Sequence, residues 1–264
     1  MELTNEQEIE KQFSTELNFY KNEVLLVLKS LYIELAIHGI ASTDAETLKS
    51  LNLTPTFWNT ILNSLQHSTF ITLGRIFDVE SSHHSIHTLK NLVESNFDAL
   101  FSKESFRKRW LSNPDKQGMI NALDEYEKNI HVPTRNEFKI FKKYISKRCT
   151  MYLNTYSDIR IHFAHKIYVT SDEIKPLFDK VLISDLEKFC MELYSIYEVL
   201  FQLYHNGRGS LLPNNEKNFS TQEILNTEFR THRTKPPNAQ FVDEVVTLLD
   251  LLNRGRMQKM EDLK

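Results

Sequence analysis

Apolar residues recur along this chain at steps of three and four almost from end to end. Ile9, Phe13, Leu17, Tyr20, Val24, Val27 and Leu31 trace one such stripe, the period of a single helix face. The spacing predicts a helix from about residue 5 to His38, ended at Gly39. After a polar stretch, Pro55 behind Thr54 suits a first helical position. Phe57, Ile61, Leu65, Phe70, Leu73, Ile76 and Phe77 then carry a second long helix. Shorter helices are expected over 85–96, 103–111 and 117–129, before Pro133. A third long helix starts at Thr134 and runs to about Tyr168 on Phe138, Phe141, Ile145, Cys149 and Tyr152. A fourth, from Ser184 to His205, stops at Asn206-Gly207, a pair suited to a left-handed cap.

The helix starts carry their own signal. Thr4/Gln7, Thr134/Glu137, Thr170/Glu173, Ser184/Glu187 and Ser220/Glu223 each place a hydroxyl three residues before Glu or Gln. That spacing satisfies two orphan backbone amides reciprocally. Long amphipathic helices must bury their stripes against one another, so the expected fold is all-α: a bundle of four long helices with extra short ones. Residues 1–207 are read as the bundle. Residues 208–264, rich in Asn, Pro, Thr and Lys around a short helix at 221–229, are read as a C-terminal helical appendage. It ends in a stripe of Phe241, Val245, Leu248, Leu249 and Leu252 and docks on the bundle or on a partner.

Composition narrows the class. The 264 residues hold only 6 Gly and 7 Pro, too few for a many-stranded sandwich or Gly-rich phosphate loops. With 32 basic against 35 acidic side chains, the net charge of −3 excludes a globally basic nucleic-acid binder and leaves room for a local stripe. Two cysteines, Cys149 and Cys190, are too few for a disulfide framework and fall on apolar stripes. The start, Met1-Glu2-Leu3-Thr4-Asn5-Glu6, is acidic, and no apolar run is read as reaching the roughly 18 residues of a membrane span. The expectation is a cytoplasmic protein free of the membrane.

Candidate chemistry concentrates in Ser157-Asp158-Ile159-Arg160-Ile161-His162-Phe163-Ala164-His165-Lys166. On an ideal helix Asp158, His162 and His165 share a face, whereas Arg160 points about 140° away from His165. Within one helix Arg160 and His165 diverge; across a two-fold axis they can meet. The bland alternative for such a cluster is a solvated helix face.

Arg160-Ile-His-Phe-Ala-His165 resembles the Arg-x4-6-His signature of the HEPN superfamily of helical domains. Upstream, Phe70-Ile-Thr-Leu-Gly-Arg-Ile-Phe-Asp78 followed by His84-Ser-Ile-His-Thr-Leu89 is similar to the abortive-infection U-type branch of that superfamily. The two patterns together span roughly residues 5–205. The resemblance implies a bundle that dimerises with its Arg-His motifs facing, and a metal-independent endoribonuclease at that interface, needing no cofactor. Arg160 would bind the scissile phosphate and stabilise its developing charge. His165 would be the base that takes the ribose 2′-OH proton or the acid that protonates the leaving 5′-oxygen. The products would be a 2′,3′-cyclic phosphate and a 5′-hydroxyl. Many active members carry a polar residue directly after the Arg; Ile161 stands here, and His162 is the candidate to supply the missing group. Tyr168 lies one position later than the tyrosine that some relatives have modified by nucleotidyl transfer.

A substrate surface is suggested by Arg135, Lys139, Lys142, Lys143, Lys147 and Arg148, a basic stripe opposite Phe138, Phe141 and Ile145 that would track an RNA backbone. Arg107, Lys108 and Arg109 beside Trp110 form a weaker candidate. His83, His84 and His87 lack a Cys and a clear fourth ligand, so no metal site is assigned. Arg75 and Asp78 are expected as helix-end polar contacts. The readings are thus a homodimeric RNA-cleaving defence or toxin protein, with a neutralising or regulatory protein partner, or a non-catalytic HEPN module that binds RNA, nucleotide or protein.

Overall fold

The computed structural model describes residues 4–80, 84–113, 120–165, 171–179, 181–211, 220–227, 236 and 238–261; the side chains of 120–122, 165, 171–174 and 255–261 lie outside the description. Among the described residues there is no strand. The chain forms α1 (Asn5–Thr43), α2 (Ala45–Leu51), α3 (Pro55–Ile76), α4 (Ile86–Ser95), α5 (Phe97–Phe101), α6 (Lys103–Ser112) and α7 (Ile120–Lys128). It continues with α8 (Arg135–Met151), a π turn (Tyr152–Tyr156), α9 (Ser157–His165), α10 (Ser171–Phe178), α11 (Ile183–Asn206), α12 (Thr221–Leu225) and α13 (Ala239–Glu261).

Local chemistry explains most of the boundaries. Thr4 and Gln7 bond reciprocally at the start of α1, and full capping boxes open α8 on Thr134/Glu137 and α12 on Ser220/Glu223. Gly207 takes φ 53° and its N–H donates to the carbonyl of Leu203, the left-handed cap that Asn206-Gly207 predicts. Helix α1 runs through Gly39 to Thr43, where the Ser42 and Thr43 hydroxyls donate to the Gly39 carbonyl. Asp44 then caps α2 by accepting from the N–H groups of Glu46 and Thr47. Neither α2 nor α5 was expected. The Ser184/Glu187 box does not form: α11 starts at Ile183, and Glu187 is buried, accepting the N–H and hydroxyl of Thr221. The Thr170/Glu173 pair lies outside the described residues.

The chain divides into two interleaved compact units. The first comprises 1–24, 74–157 and 192–215; the second 25–73, 158–191 and 216–264. In the first, Phe13 meets Phe101 and Tyr204 at ring-centroid distances of 6.0 and 4.7 Å, Phe97 meets Phe138 at 5.0 Å, and the Tyr20 hydroxyl donates to the Leu193 carbonyl. In the second, Val27, Leu28, Leu31, Tyr32, Phe70, Leu73, Phe189 and Cys190 are buried together with Phe241, Val242, Val245 and Leu249 of α13. The tail is therefore core. Asn253 bonds Thr47 and Ser50 of α2, and a methyl group of Leu225 packs against Gly39 so closely that an added Cβ would meet it at 3.0 Å.

By length and composition α1 could cross a membrane, with a mean hydropathy of 1.7 over its most apolar window. This corrects the expectation that no run is long enough. Lys29 and Glu34 interrupt the sequence without lowering the average below that of a span. Val27, Leu28, Leu31, Tyr32 and Ala36 from this stretch are buried in the second unit, and the core helix of a globular protein meets the same criterion.

Candidate active site and basic surface

The third long helix runs unbroken from Arg135 to His165 but is not uniformly α. At Tyr152–Tyr156 it widens into a π turn, which accommodates one extra residue. Tyr152 stacks on Phe77, centroids 4.6 Å apart and planes 12° apart, and Tyr156 is fully buried. The Phe of the Leu-Gly-Arg-Ile-Phe-Asp segment thus braces the turn from which the Arg-His helix departs.

Helix α9 is regular from Ser157 to His165, so the angular relations of an ideal helix hold for its backbone. Ile159 is buried, and Asp158 and Ile161 are exposed. Phe163 contacts His67, Phe70 and Phe178 at 4.2, 5.8 and 6.2 Å. Arg160 and His162 are half-buried, and the Nε atom of Arg160 and Nε2 of His162 are buried with no hydrogen-bond partner. No hydrogen bond or ion pair among the described residues joins Asp158, Arg160 and His162. A buried donor or acceptor left unpaired costs on the order of 1–3 kcal/mol, and Arg109 Nε on α6 shares this state. The side chain of His165, and Tyr168 altogether, lie outside the described residues.

The second unit holds two groups that spacing did not single out, one of them against this helix. His67 is exposed, with its ring on Phe163. One turn of α3 separates it from Phe70, where the recognisable segment starts. Glu34 accepts a hydrogen bond of 3.4 Å from Gln66, and burial pushes its carboxyl up from 4.5 to about 7.

The basic stripe of α8 splits in two. Arg148 does not face solvent: it is buried, its guanidinium pairs with Glu192 at 2.8 Å, and it lies 3.4 Å from the Tyr144 ring centroid. This removes Arg148 from the expected RNA surface. Arg135 pairs with Asp98 and Lys142 with Glu94, acids that α5 and α4 bring to the same side. Lys139, Lys143 and Lys147, four residues apart on one face, are exposed and have no ion pair among the described residues.

The weaker basic candidate is neutralised. Arg107 pairs with Asp124 and Glu127, Lys108 with Glu6 and Arg109 with Glu10, while Trp110 is buried with Phe106 and Leu123. Arg75 pairs with Glu23, and Asp78 accepts the Glu80 N–H. His84 pairs with the buried Glu16 and stacks on Phe19 at 3.8 Å. His87 Nε2 lies 3.8 Å from the Cys149 sulfur; burial lowers the imidazole pKa and raises that of the thiol. His83 lies outside the described residues, and among those described no three metal-ligating side chains converge.

No curated protein and no solved structure matches the chain. The family model HEPN_AbiU2, described as AbiU2, matches residues 10–223, from the first turns of α1 through the capping box of α12. Since that match covers most of the chain, including the Phe70–Leu89 segment and the Arg-His helix, the protein belongs to the AbiU2 family of HEPN proteins, associated with abortive infection.

Proposed function

We propose that the protein is a cytoplasmic, metal-independent endoribonuclease of phage defence or toxin-like growth arrest, active as a homodimer and held in check by a regulatory protein. The observation that carries this reading is the pair of buried, unpartnered polar atoms, Arg160 Nε and His162 Nε2, on the motif helix. An anionic phosphate oxygen would satisfy the guanidinium and gain stabilisation as charge develops. Because α9 is regular, Arg160 and His165 diverge by about 140°, so one phosphate is reached by both only when a second copy faces the first.

In this reading the ribose 2′-oxygen attacks phosphorus and gives its proton to an imidazole. The bond to the 5′-oxygen breaks, and that oxygen takes a proton from a second imidazole, His165 of the other copy or His162. A 2′,3′-cyclic phosphate and a 5′-hydroxyl remain. In this reading Asp158 belongs to the same site, since it shares the backbone face of His162 and His165. Lys139, Lys143 and Lys147 draw in the RNA backbone. The exposed Ile161 favours a second reading, a HEPN module that binds RNA or protein without cleaving.

The test is induced expression of the intact chain beside Arg160→Ala and His165→Ala, with RNA integrity followed over time. Loss of the acid–base group should lower cleavage by about 10²–10⁴-fold while RNA affinity changes little. Equal RNA integrity in all three cultures would overturn the nuclease reading.

A further inference from the structure

On the second unit, the end of α2, the start of α3 and the middle of α13 enclose an open hollow of about 270 Å³. Leu51, Leu53, Phe57, Trp58, Leu249 and Leu252 supply its apolar wall, and the remaining lining residues, Thr47, Ser50, Thr54 and Asn253, are uncharged. Its rim stands out in solvent: Leu53 is 66% exposed, Phe57 58% and Leu252 43%. Leu248 and Leu251, beside Leu252 on α13, are 48% and 60% exposed.

We infer that this face binds a second copy of the chain through a two-fold interface separate from the Arg-His helix. Three observations select that occupant. First, hole and knobs share one face, as an isologous contact requires, since each copy must offer what the other receives. A phenyl or isobutyl group from Phe57 or Leu53 suits a hollow of this size. Second, large side chains of roughly 150–250 Å² each, about half exposed, together present apolar surface on the order of 500 Å². With a polar margin, that approaches the roughly 800 Å² per partner of a standard interface. Third, the centre has no charge, as interface cores lack charge, while the surrounding exposed residues carry both signs: Glu46 and Lys49 on α2, Asp250 and Arg254 on α13. The margin is thus not of one sign, and self-association meets no uniform charge repulsion.

The inference is independent of the nuclease reading. Its test is the mass of the full chain by light scattering and sedimentation at micromolar concentration, for wild type, Phe57→Glu and Leu252→Glu. Both positions are solvent-exposed, so the melting temperature should stay near wild type. Each substitution should lower the oligomer by one two-fold step and weaken association at least 100-fold. Arg160→Ala should leave this step intact. A second readout is Phe57→Cys, which should form a disulfide-linked dimer under mild oxidation. A monomeric wild type, or an oligomer unchanged in mass by both glutamates, overturns the inference. So does a small apolar molecule found in the native mass spectrum of a monomer. Unchanged cleavage in a dissociated Phe57→Glu protein would leave the nuclease reading standing.

Discussion

The burial of Arg148 gives a prediction with a calculable size. Its guanidinium reaches both oxygens of Glu192, with Nε 3.1 Å from Oε2 and the second contact at 2.8 Å. The two side chains are only 10% and 8% exposed. Arg148→Met keeps the apolar volume but leaves the Glu192 carboxylate in a poorly solvated site without its guanidinium. Removing one partner of a buried pair costs about 3–5 kcal/mol. With each kcal/mol worth about 2–4 °C in a domain of 150–250 residues, the melting temperature should fall by roughly 6–20 °C. Replacing both, Arg148→Met with Glu192→Leu, should recover most of the loss, because the desolvation penalty leaves with the pair. Urea unfolding of the two variants and wild type measures this, and RNA binding is measured below their transitions. A cost under about 1 kcal/mol for Arg148→Met, or a double variant no better than the single, would refute the argument. Intact stability with weakened RNA binding would return Arg148 to the phosphate-binding set.

Two further predictions concern charge. Glu34 has its folded-state pKa raised by burial from 4.5 to about 7, so the folded state binds more protons than the unfolded one across that interval. Stability is then fullest below about pH 4.5 and declines as pH rises through about 7. Glu34→Gln should be neutral at pH 4 and stabilising at pH 8, and thermal melts that show no such crossover would contradict it. Replacing Lys139, Lys143 and Lys147 with Gln should flatten the salt dependence of single-stranded RNA binding, each lost contact removing about 0.7 from the log–log slope. Single-turnover cleavage at saturating RNA should stay near wild type; an unchanged slope would show that α8 is not the RNA surface.

How much of this was legible depended on the range of the interaction. The boxes at Thr4, Thr134 and Ser220 and the Gly207 cap need only residues a few positions apart, and they form as written. Ser184/Glu187 has the same local pattern, but Glu187 is taken by Thr221, thirty-four positions on, and no short-range rule sees that competition. The π turn was hidden because Phe138, Phe141, Ile145, Tyr152, Tyr156 and Ile159 keep helical steps across it. The stripe of α8 was read from its own charges, while its fate was set by Glu94, Asp98 and Glu192 from other helices. The Arg-His motif was recognisable by its resemblance to a family signature, whereas the isolation of Arg160 Nε and His162 Nε2 arises only from what surrounds them. His67 had no signal beyond sitting one turn before Phe70.

The apolar stretch of α1 also bears on how the chain is made. It leaves the ribosome before α3, α11 and α13 exist to cover it, and for that interval it presents the length and hydropathy that membrane-insertion machinery recognises. Lys29 and Glu34 are the only charges between Val24 and His38. A Lys near the middle of a helix costs roughly 2.5–3.5 kcal/mol to insert, so these two residues weigh against capture by the bilayer during synthesis. In the finished fold Lys29 is exposed to solvent, 5.8 Å from the Phe241 ring centroid, and Glu34 accepts from Gln66. Making both apolar would give a nascent segment that a translocon reads as an anchor, and the fate of the polypeptide would be decided before its bundle could close.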